Sequence, residues 1–242
     1  MPARSISYKL TARFPESKGY NHFRQRYNPE VMLGVNKNWM VHIAGTVSDY
    51  YSDKLRPESV KGYVKYRFLS NDDVHKHFRM AAFTELSYSR NDFVYHDFSL
   101  DGDLSGLQFG LIATQLVSKF AASATASYTQ GLATIVHHIN DGEDPLKMFN
   151  YSLSAGYLLF PRNYTSYKQT NLNLYLELLG SRGVKGPGYY TDLAPAIQLI
   201  FNSTTKLNLG ARFQLNGNMI RVGERTYQVA IEHTILNALK KK

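Results

Sequence analysis

The sequence contains no cysteine, so disulfide bonds and thiolate chemistry are excluded at once. It also lacks any run of about 18 apolar residues, the length that a membrane-spanning helix needs. Its richest stretch, 107–126, is interrupted by Gln108, Thr114 and Lys119 among others. The mean hydropathy of −0.34 is low as well. A helical membrane protein is therefore not expected.

Acidic residues are few, with 19 against 28 lysines and arginines, and the net charge is +9. Nucleic-acid binding is nevertheless not expected, because the basic residues are spread over alternating positions and turns and only 240–242 forms a cluster. No linker or low-complexity segment divides the chain. We therefore expect residues 1–242 to form a single domain.

What the sequence does contain is a two-residue alternation, seen clearly in residues 5–14. One parity is apolar and comprises Ile6, Tyr8, Leu10, Ala12 and Phe14, whereas the other comprises Ser5, Ser7, Lys9, Thr11 and Arg13. Successive side chains of a β-strand point to opposite faces, so this segment has one apolar and one polar face. Only every second residue of a transmembrane strand meets lipid, which explains the modest hydropathy.

The same alternation recurs along the chain and predicts twelve strands. Their expected bounds are 5–14, 30–36, 39–49, 59–69, 78–89, 106–116, 119–130, 148–160, 171–181, 190–201, 205–215 and 226–236. The second is short, and we expect it to extend back towards Arg26. Most span 9 to 13 residues, the length that crosses a bilayer at a tilt, whereas strands of soluble proteins average about five or six.

The connectors alternate between long and short, which favours a membrane barrel over a soluble sandwich. The long ones are 15–29, 50–58, 90–105, 131–147, 182–189 and 216–225, and the short ones are 36–38, 70–77, 117–118, 161–170 and 202–204. Bacterial barrels have short periplasmic turns and longer outer loops. We predict an all-β, antiparallel, up-and-down transmembrane barrel with both termini in the periplasm, and ten or fourteen strands as alternatives to twelve.

Two hairpins carry a resemblance to a known family. Leu193–Leu215, LAPAIQLIFNSTTKLNLGARFQL, and Glu30–Val47, EVMLGVNKNWMVHIAGTV, cover about a sixth of the chain. They resemble hairpins of transporter-like outer-membrane barrels related to the meta-pathway of phenol degradation family. The resemblance implies an outer-membrane location and passage of small organic solutes, but it transfers no functional residue. Since Met1 is not followed by an apolar signal region, we expect a mature or re-engineered form.

The polar parity predicts which charges line the lumen. They are Lys9, Arg13, Lys61, Lys65, Arg67, Arg79, Lys206 and Arg212, with Glu85, Glu177 and Glu232 as the acidic members. Eight positive charges against three negative ones should attract anions into an open lumen. The alternative is a barrel filled by its own side chains, in which Arg–Glu pairs form a polar core.

Metal and catalytic sites have only weak support. His137, His138 and Asp141, with Glu143 and Asp144 nearby, offer ligands in one loop, but a solvated polar loop explains them as well. Asp101 and Asp103, near Asp92 and Asp97, lack the ligand spacing of an EF-hand. No nucleophile motif is present, and His233 falls on the lipid-facing parity. We expect no cofactor and no enzymatic activity.

The outer connectors are rich in aromatic and basic residues, which suit either partner binding or the membrane surface. They are Tyr20, His22, Phe23, Arg24, Tyr27, Phe93, Tyr95, His96, Phe98, Tyr189 and Tyr190. The leading function is a passive outer-membrane channel or uptake component for small solutes, anionic ones among them. A non-conducting subunit of a larger outer-membrane complex and a lipid-modifying enzyme are the alternatives. Expected partners are membrane lipid or lipopolysaccharide, solutes and other outer-membrane proteins.

Overall fold

The computed structural model describes residues 1–17, 23–91, 99–132, 147–161, 166, 168–184 and 188–239. Twelve strands follow one another: β1 Ser5–Ser17, β2 Arg26–Gly34, β3 Trp39–Ser48, β4 Arg56–Asp73, β5 Lys76–Ser89, β6 Gly106–Val117, β7 Phe120–Gly131, β8 Lys147–Phe160, β9 Asn171–Gly183, β10 Tyr189–Phe201, β11 Thr205–Gly217 and β12 Gly223–Ile235. Each predicted segment corresponds to one of them, and β2 begins at Arg26 as expected. No helix within the described ranges is long and apolar enough to cross a membrane.

The strands form a closed barrel in which each pairs with its sequence neighbours and β1 pairs with β12. Every pairing is antiparallel, and closure runs from Ile6 opposite Ile235 to Ser17 opposite Gly223. The predicted twelve-strand antiparallel barrel is confirmed. Closure leaves no free sheet edge along the barrel wall, which is the condition for crossing a bilayer with strands.

The barrel has its apolar face outside. Ile43 is 61% exposed, and Leu10, Leu86, Leu153 and Ile231 are among many further exposed aliphatic side chains on the outward parity. The inward parity is polar, with Ser7, Thr46 and Ser87 buried inside. A soluble protein would place these two sets the other way round. The apolar exterior therefore suits contact with the hydrocarbon of a bilayer, and the polar interior suits contact with water.

The two ends of the barrel differ, and we name them by their connectors. The turn end carries the short connectors and both chain termini, where the Leu239 N–H donates to the carbonyl oxygen of Arg4 at 3.1 Å. The loop end carries the long connectors. Aromatic side chains mark the outer surface at both ends: Trp39 and Tyr66 pack 4.6 Å apart at the turn end, and Phe14 and Tyr27 pack 6.3 Å apart at the loop end. Such girdles are typical of membrane barrels.

The connector predicted over 70–77 is shorter than expected. β4 continues to Asp73 and β5 begins at Lys76, so the turn is Val74-His75. His75 adopts a positive φ of 60°, which closes a tight two-residue turn. The extension is held by β6, whose Val117 lies opposite Lys76.

Candidate functional site

The barrel encloses a cavity of about 820 Å³, towards its loop end. Side chains of β1, β4 and β5 contribute to its wall on one side, and side chains of β7–β11 contribute on the other. Residues 99–105, which precede β6, fold inward, and residues 99–101 and 103 among them also line the cavity. The lumen is thus narrowed by a loop and not only by the side chains of the strands.

Asp101 fixes this inward loop to the wall. Its carboxylate accepts a hydrogen bond from Nη1 of Arg13 at 2.6 Å and a second from Nζ of Lys61. Lys61 also lies 3.3 Å from Glu85. Burial alone would raise the pKa of Asp101, but Lys61 and Arg13 outweigh it and hold the pKa well below its usual value. The loop is therefore anchored by a charged carboxylate across the pH range of most environments.

A second anchor lies two residues further on. Asp103 accepts hydrogen bonds from Nη2 of Arg26 at 2.6 Å and from the hydroxyl of Tyr51 at 3.1 Å. Burial and the negative charge of Asp103 both raise the pKa of Tyr51, so it stays a neutral donor. Between the two aspartates, Gly102 has φ +124°, and a Cβ there would lie 2.8 Å from Cγ2 of Thr46. Only glycine fits this point, where the loop touches the wall.

A third ionic cluster joins β10, β11 and the connector that follows β11 at the loop end. Asp192 is fully buried and accepts hydrogen bonds from Arg212 and, at 2.8 and 2.9 Å, from Arg221. The Arg221 guanidinium lies 4.3 Å from the ring centroid of Tyr190, and that of Arg212 lies 5.1 Å from it. These contacts compensate the buried carboxylate and keep both arginines against the wall.

The wall made by β7–β11 carries mostly hydroxyl and amide groups. Across three neighbouring strands, Asn173 donates to Gln198 at 3.0 Å and Gln198 donates to Asn208 at 2.7 Å. Tyr175 donates from its hydroxyl to Gln198 at 3.3 Å. Such groups bind polar solutes through hydrogen bonds without a strong preference for charge.

The predicted lumen charges occupy three places. Those that line the cavity are Arg13, Lys61, Glu85, Glu177 and Arg212. Those on inward positions nearer the turn end are Lys9, Lys65, Arg67, Lys206 and Glu232. Arg79 lies on the extended β4–β5 hairpin, where it is exposed and pairs with Asp72 at 2.9 Å. Cavity and turn end are thus two zones with separate charges.

The turn end keeps an excess of positive charge. Lys9 pairs with Glu30 at 3.4 Å, and Lys206 pairs with Glu232 at 3.0 Å. Arg67 donates to a backbone carbonyl, that of Lys37. Lys65 has no ion pair or hydrogen bond with any other residue that the structure describes. Lys65 and Arg67 therefore carry charge that no carboxylate offsets.

Several acidic residues of the lumen are not among the predicted ones. Glu30 and Asp192 lie on inward positions of β2 and β10, and strict alternation could have placed them. Asp101 and Asp103 could not have been found that way, because they reach the lumen from a loop. The cavity is lined by five cations, Arg13, Arg26, Lys61, Arg212 and Arg221, and four carboxylates, Glu85, Asp101, Asp103 and Glu177. It is closer to neutral than the eight-to-three count suggested.

The weaker sequence candidates have mixed outcomes. His137, His138, Asp141, Glu143 and Asp144 lie outside the described residues, as do Asp92, Asp97, Tyr20, His22, Phe93, Tyr95, His96 and Phe98. Where the structure is described, no three histidine or acidic side chains are grouped as metal ligands. Asp101 pairs with Arg13 and Lys61, and Asp103 pairs with Arg26. His233 lies on the outer surface and bonds Thr205 at 2.9 Å.

The aromatic and basic loop residues that are described belong mainly to the barrel rim. Phe23 packs on Tyr227 with ring centroids 6.0 Å apart, and the Tyr27 hydroxyl donates to Gln25 at 2.8 Å. Arg24 is buried and donates to the carbonyl oxygens of Asp49 and Ser52. These contacts hold neighbouring loops together.

Comparison with known proteins identifies the fold. No family model and no curated protein matches the chain. Among solved structures, the KdgM porin matches with a TM-score of 0.55 and 10% identity, covering 95% of this chain and 98% of that one. The β domain of the Bordetella autotransporter BrkA matches with a TM-score of 0.51 and 11% identity, covering 96% and 99%. The chain has the fold of outer-membrane β-barrels. The resemblance to the phenol-degradation family stays a prediction.

Proposed function

We propose that this protein is a passive channel in the bacterial outer membrane for small polar solutes. The observation that carries the proposal is a polar cavity of about 820 Å³ inside a closed barrel with an apolar exterior. A lumen of this kind provides a hydrated path through the bilayer. The KdgM porin, whose fold the chain shares, is named for the same activity.

The connector lengths supply the orientation. Short turns of outer-membrane barrels lie in the periplasm and longer loops lie outside. The inward loop of residues 99–105 then narrows the path near its outer entrance, and Lys65 and Arg67 lie near the periplasmic exit. A solute that enters from outside first meets a constriction whose charges are paired. It then meets Lys65 and Arg67, which together we call the basic zone.

Ion preference would come from the basic zone. Paired charges of the cavity largely cancel, whereas the ammonium of Lys65 and the guanidinium of Arg67 remain uncompensated by carboxylates. Positive charge along a narrow path raises the local concentration of anions. We therefore expect a channel that prefers anions to cations, without covalent chemistry and without an assigned catalytic residue.

A non-conducting scaffold in a larger complex is the second candidate, and one observation favours it. Aromatic side chains occupy inward positions towards the turn end. The ring centroid of Tyr63 lies 5.5 Å from that of Phe83 and 4.7 Å from that of His42. Together with the inward loop, this cluster narrows the lumen.

Reversal potentials in planar bilayers under a salt gradient test the proposal. The wild-type protein should show anion preference, and Lys65→Glu and Arg67→Glu should each reduce or invert it. Arg79→Glu serves as the matched control, because that arginine pairs with Asp72 on the exposed hairpin. A folded protein that carries no current would favour the scaffold. Equal reversal potentials in all variants would show that the basic zone does not set the ion preference.

A further inference from the structure

One patch of the cavity wall has hydrogen-bonding groups that the protein itself does not use. Thr125 of β7, Ser152 and Ser154 of β8, and Glu177 of β9 all line the cavity. Within the described ranges, none of these four side chains forms a hydrogen bond or an ion pair. Elsewhere in the cavity, by contrast, the carboxylates of Glu85, Asp101 and Asp103 all bind arginine or lysine. The hydrogen-bonding groups of this patch can therefore bind a ligand without breaking a contact among the described residues.

The four groups are neighbours in the sheet. Thr125 lies opposite Ser152, and Ser154 lies opposite Glu177. Three adjacent strands span roughly 10 Å, and two residues along a strand span about 7 Å. These dimensions match one or two pyranose rings. A hydroxyl both donates and accepts hydrogen bonds, whereas an ionised carboxylate accepts strongly from O–H groups.

An aromatic surface borders the patch. Tyr175 precedes Glu177 by two residues and points into the lumen from the same face of β9. Its ring lies against Gly156, where an added Cβ would be 2.6 Å from Cε1. The hydrogen bond from its hydroxyl to Gln198 fixes the ring, and the residue remains 36% exposed. One ring face is therefore pressed on the backbone while the side chain stays accessible from the lumen.

From this juxtaposition, we propose that the wall formed by β7, β8 and β9 is a binding subsite for an uncharged saccharide. The apolar C–H face of a sugar ring would pack on Tyr175, as apolar groups do on aromatic rings. Sugar hydroxyls would donate to Glu177 and exchange hydrogen bonds with Ser152 and Ser154. An acidic sugar would be disfavoured, because its carboxylate would approach Glu177 without a compensating cation. The subsite rests on the proposed channel function and names its solute class.

The subsite can be tested by a binding measurement that does not depend on conduction. Saturation-transfer NMR on the barrel in a sugar-free detergent, with methyl β-glucoside as probe, should give a clear transfer signal. Methyl β-glucuronide at the same concentration should give a signal at least threefold weaker. Tyr175→Ala and Glu177→Gln should each reduce the glucoside signal by about fivefold or more, and Glu177→Gln should also narrow the gap between the two probes.

Two variants control for loss of a tyrosine and of a carboxylate elsewhere. Tyr157→Ala removes an exposed outward tyrosine from β8, and Glu16→Gln changes an exposed carboxylate at the loop end. Both should bind like the wild type. Tyr175→Phe keeps the ring, so it should retain most of the glucoside signal even if Tyr175→Ala fails to fold.

Bilayer currents measured on the same preparations separate the two proposals. A conducting protein that gives no glucoside signal, or whose signal is unchanged by Glu177→Gln, overturns the subsite and leaves the channel intact. Glucoside binding by a silent protein supports the subsite and contradicts the channel. Absence of both binding and current contradicts both.

Discussion

The inward loop of residues 99–105 can be perturbed at one of its two anchors, Asp101, whose carboxylate binds two cations of the wall, Arg13 and Lys61. Asp101→Asn removes the charge that binds Arg13 and Lys61. Removing one partner of a buried ion pair costs about 3–5 kcal/mol. Asp101 keeps 19% of its side chain exposed, so screening reduces this to about 2–3 kcal/mol. The population of the undocked loop should then rise roughly 30- to 140-fold, at a tenfold change per about 1.4 kcal/mol.

Cysteine labelling measures this population directly, because the protein has no native cysteine. Leu100 is 3% exposed inside the loop, so a thiol in Leu100→Cys should react with maleimide only when the loop undocks. Adding Asp101→Asn should accelerate labelling by roughly the same 30- to 140-fold, provided that reclosing is fast. Asp53→Asn, an exposed change in the neighbouring outer loop, should have no effect. An unchanged labelling rate in the Asp101→Asn variant would refute the anchoring role.

Further consequences concern the same loop, the buried cluster and the exterior. Since the pKa of Asp101 lies well below 3.8, this carboxylate stabilises the docked loop fully above about pH 4, and the stabilisation is lost only as the pH falls further. Labelling of Leu100→Cys with dithiodipyridine should stay slow down to about pH 4, and acceleration near pH 5 would contradict this. Gly102→Ala should lower the free energy that keeps the loop docked by about 1–3 kcal/mol, measured in the same assay. Asp192→Asn should lower stability by about 3–5 kcal/mol in urea unfolding, and an unchanged midpoint would contradict its buried role. Ile43→Arg should lower the free energy of unfolding in bilayers by about 2–4 kcal/mol. An unchanged free energy of unfolding would contradict contact between residue 43 and lipid.

The strands could be predicted from the sequence because their signal is local. Alternation in 5–14 assigns both the strand and its lipid-facing side, and Tyr8 and Leu10 are exposed on the outer surface as that parity requires. The β4–β5 connector could not be predicted as well. Its turn residues, Val74 and His75, are not the Asn-Gly type that marks a two-residue turn, and the extension depends on pairing with β6.

The site was less predictable because it depends on contacts that are distant in sequence. Arg13 and Asp101 are 88 residues apart, and nothing near Asp101 indicates that its loop folds inward. Gly102 is the one local hint, since a glycine between two aspartates permits an unusual backbone. Glu177 is on the predicted inward parity, and Tyr175 shares that parity because it lies two residues before it. Only the register shows that Ser154 lies beside Glu177 and that Gly156 makes room for the ring.

Passage of solute through the lumen can be tested by blocking the lumen covalently. Ser154→Cys places a thiol in the cavity wall, and Tyr157→Cys places one on the outer surface three residues away. Single-channel current should drop sharply when a bulky methanethiosulfonate reagent modifies Ser154→Cys and should stay constant for Tyr157→Cys. Folded protein without current, or a current unaffected by modification at position 154, would contradict passage of solute through the lumen.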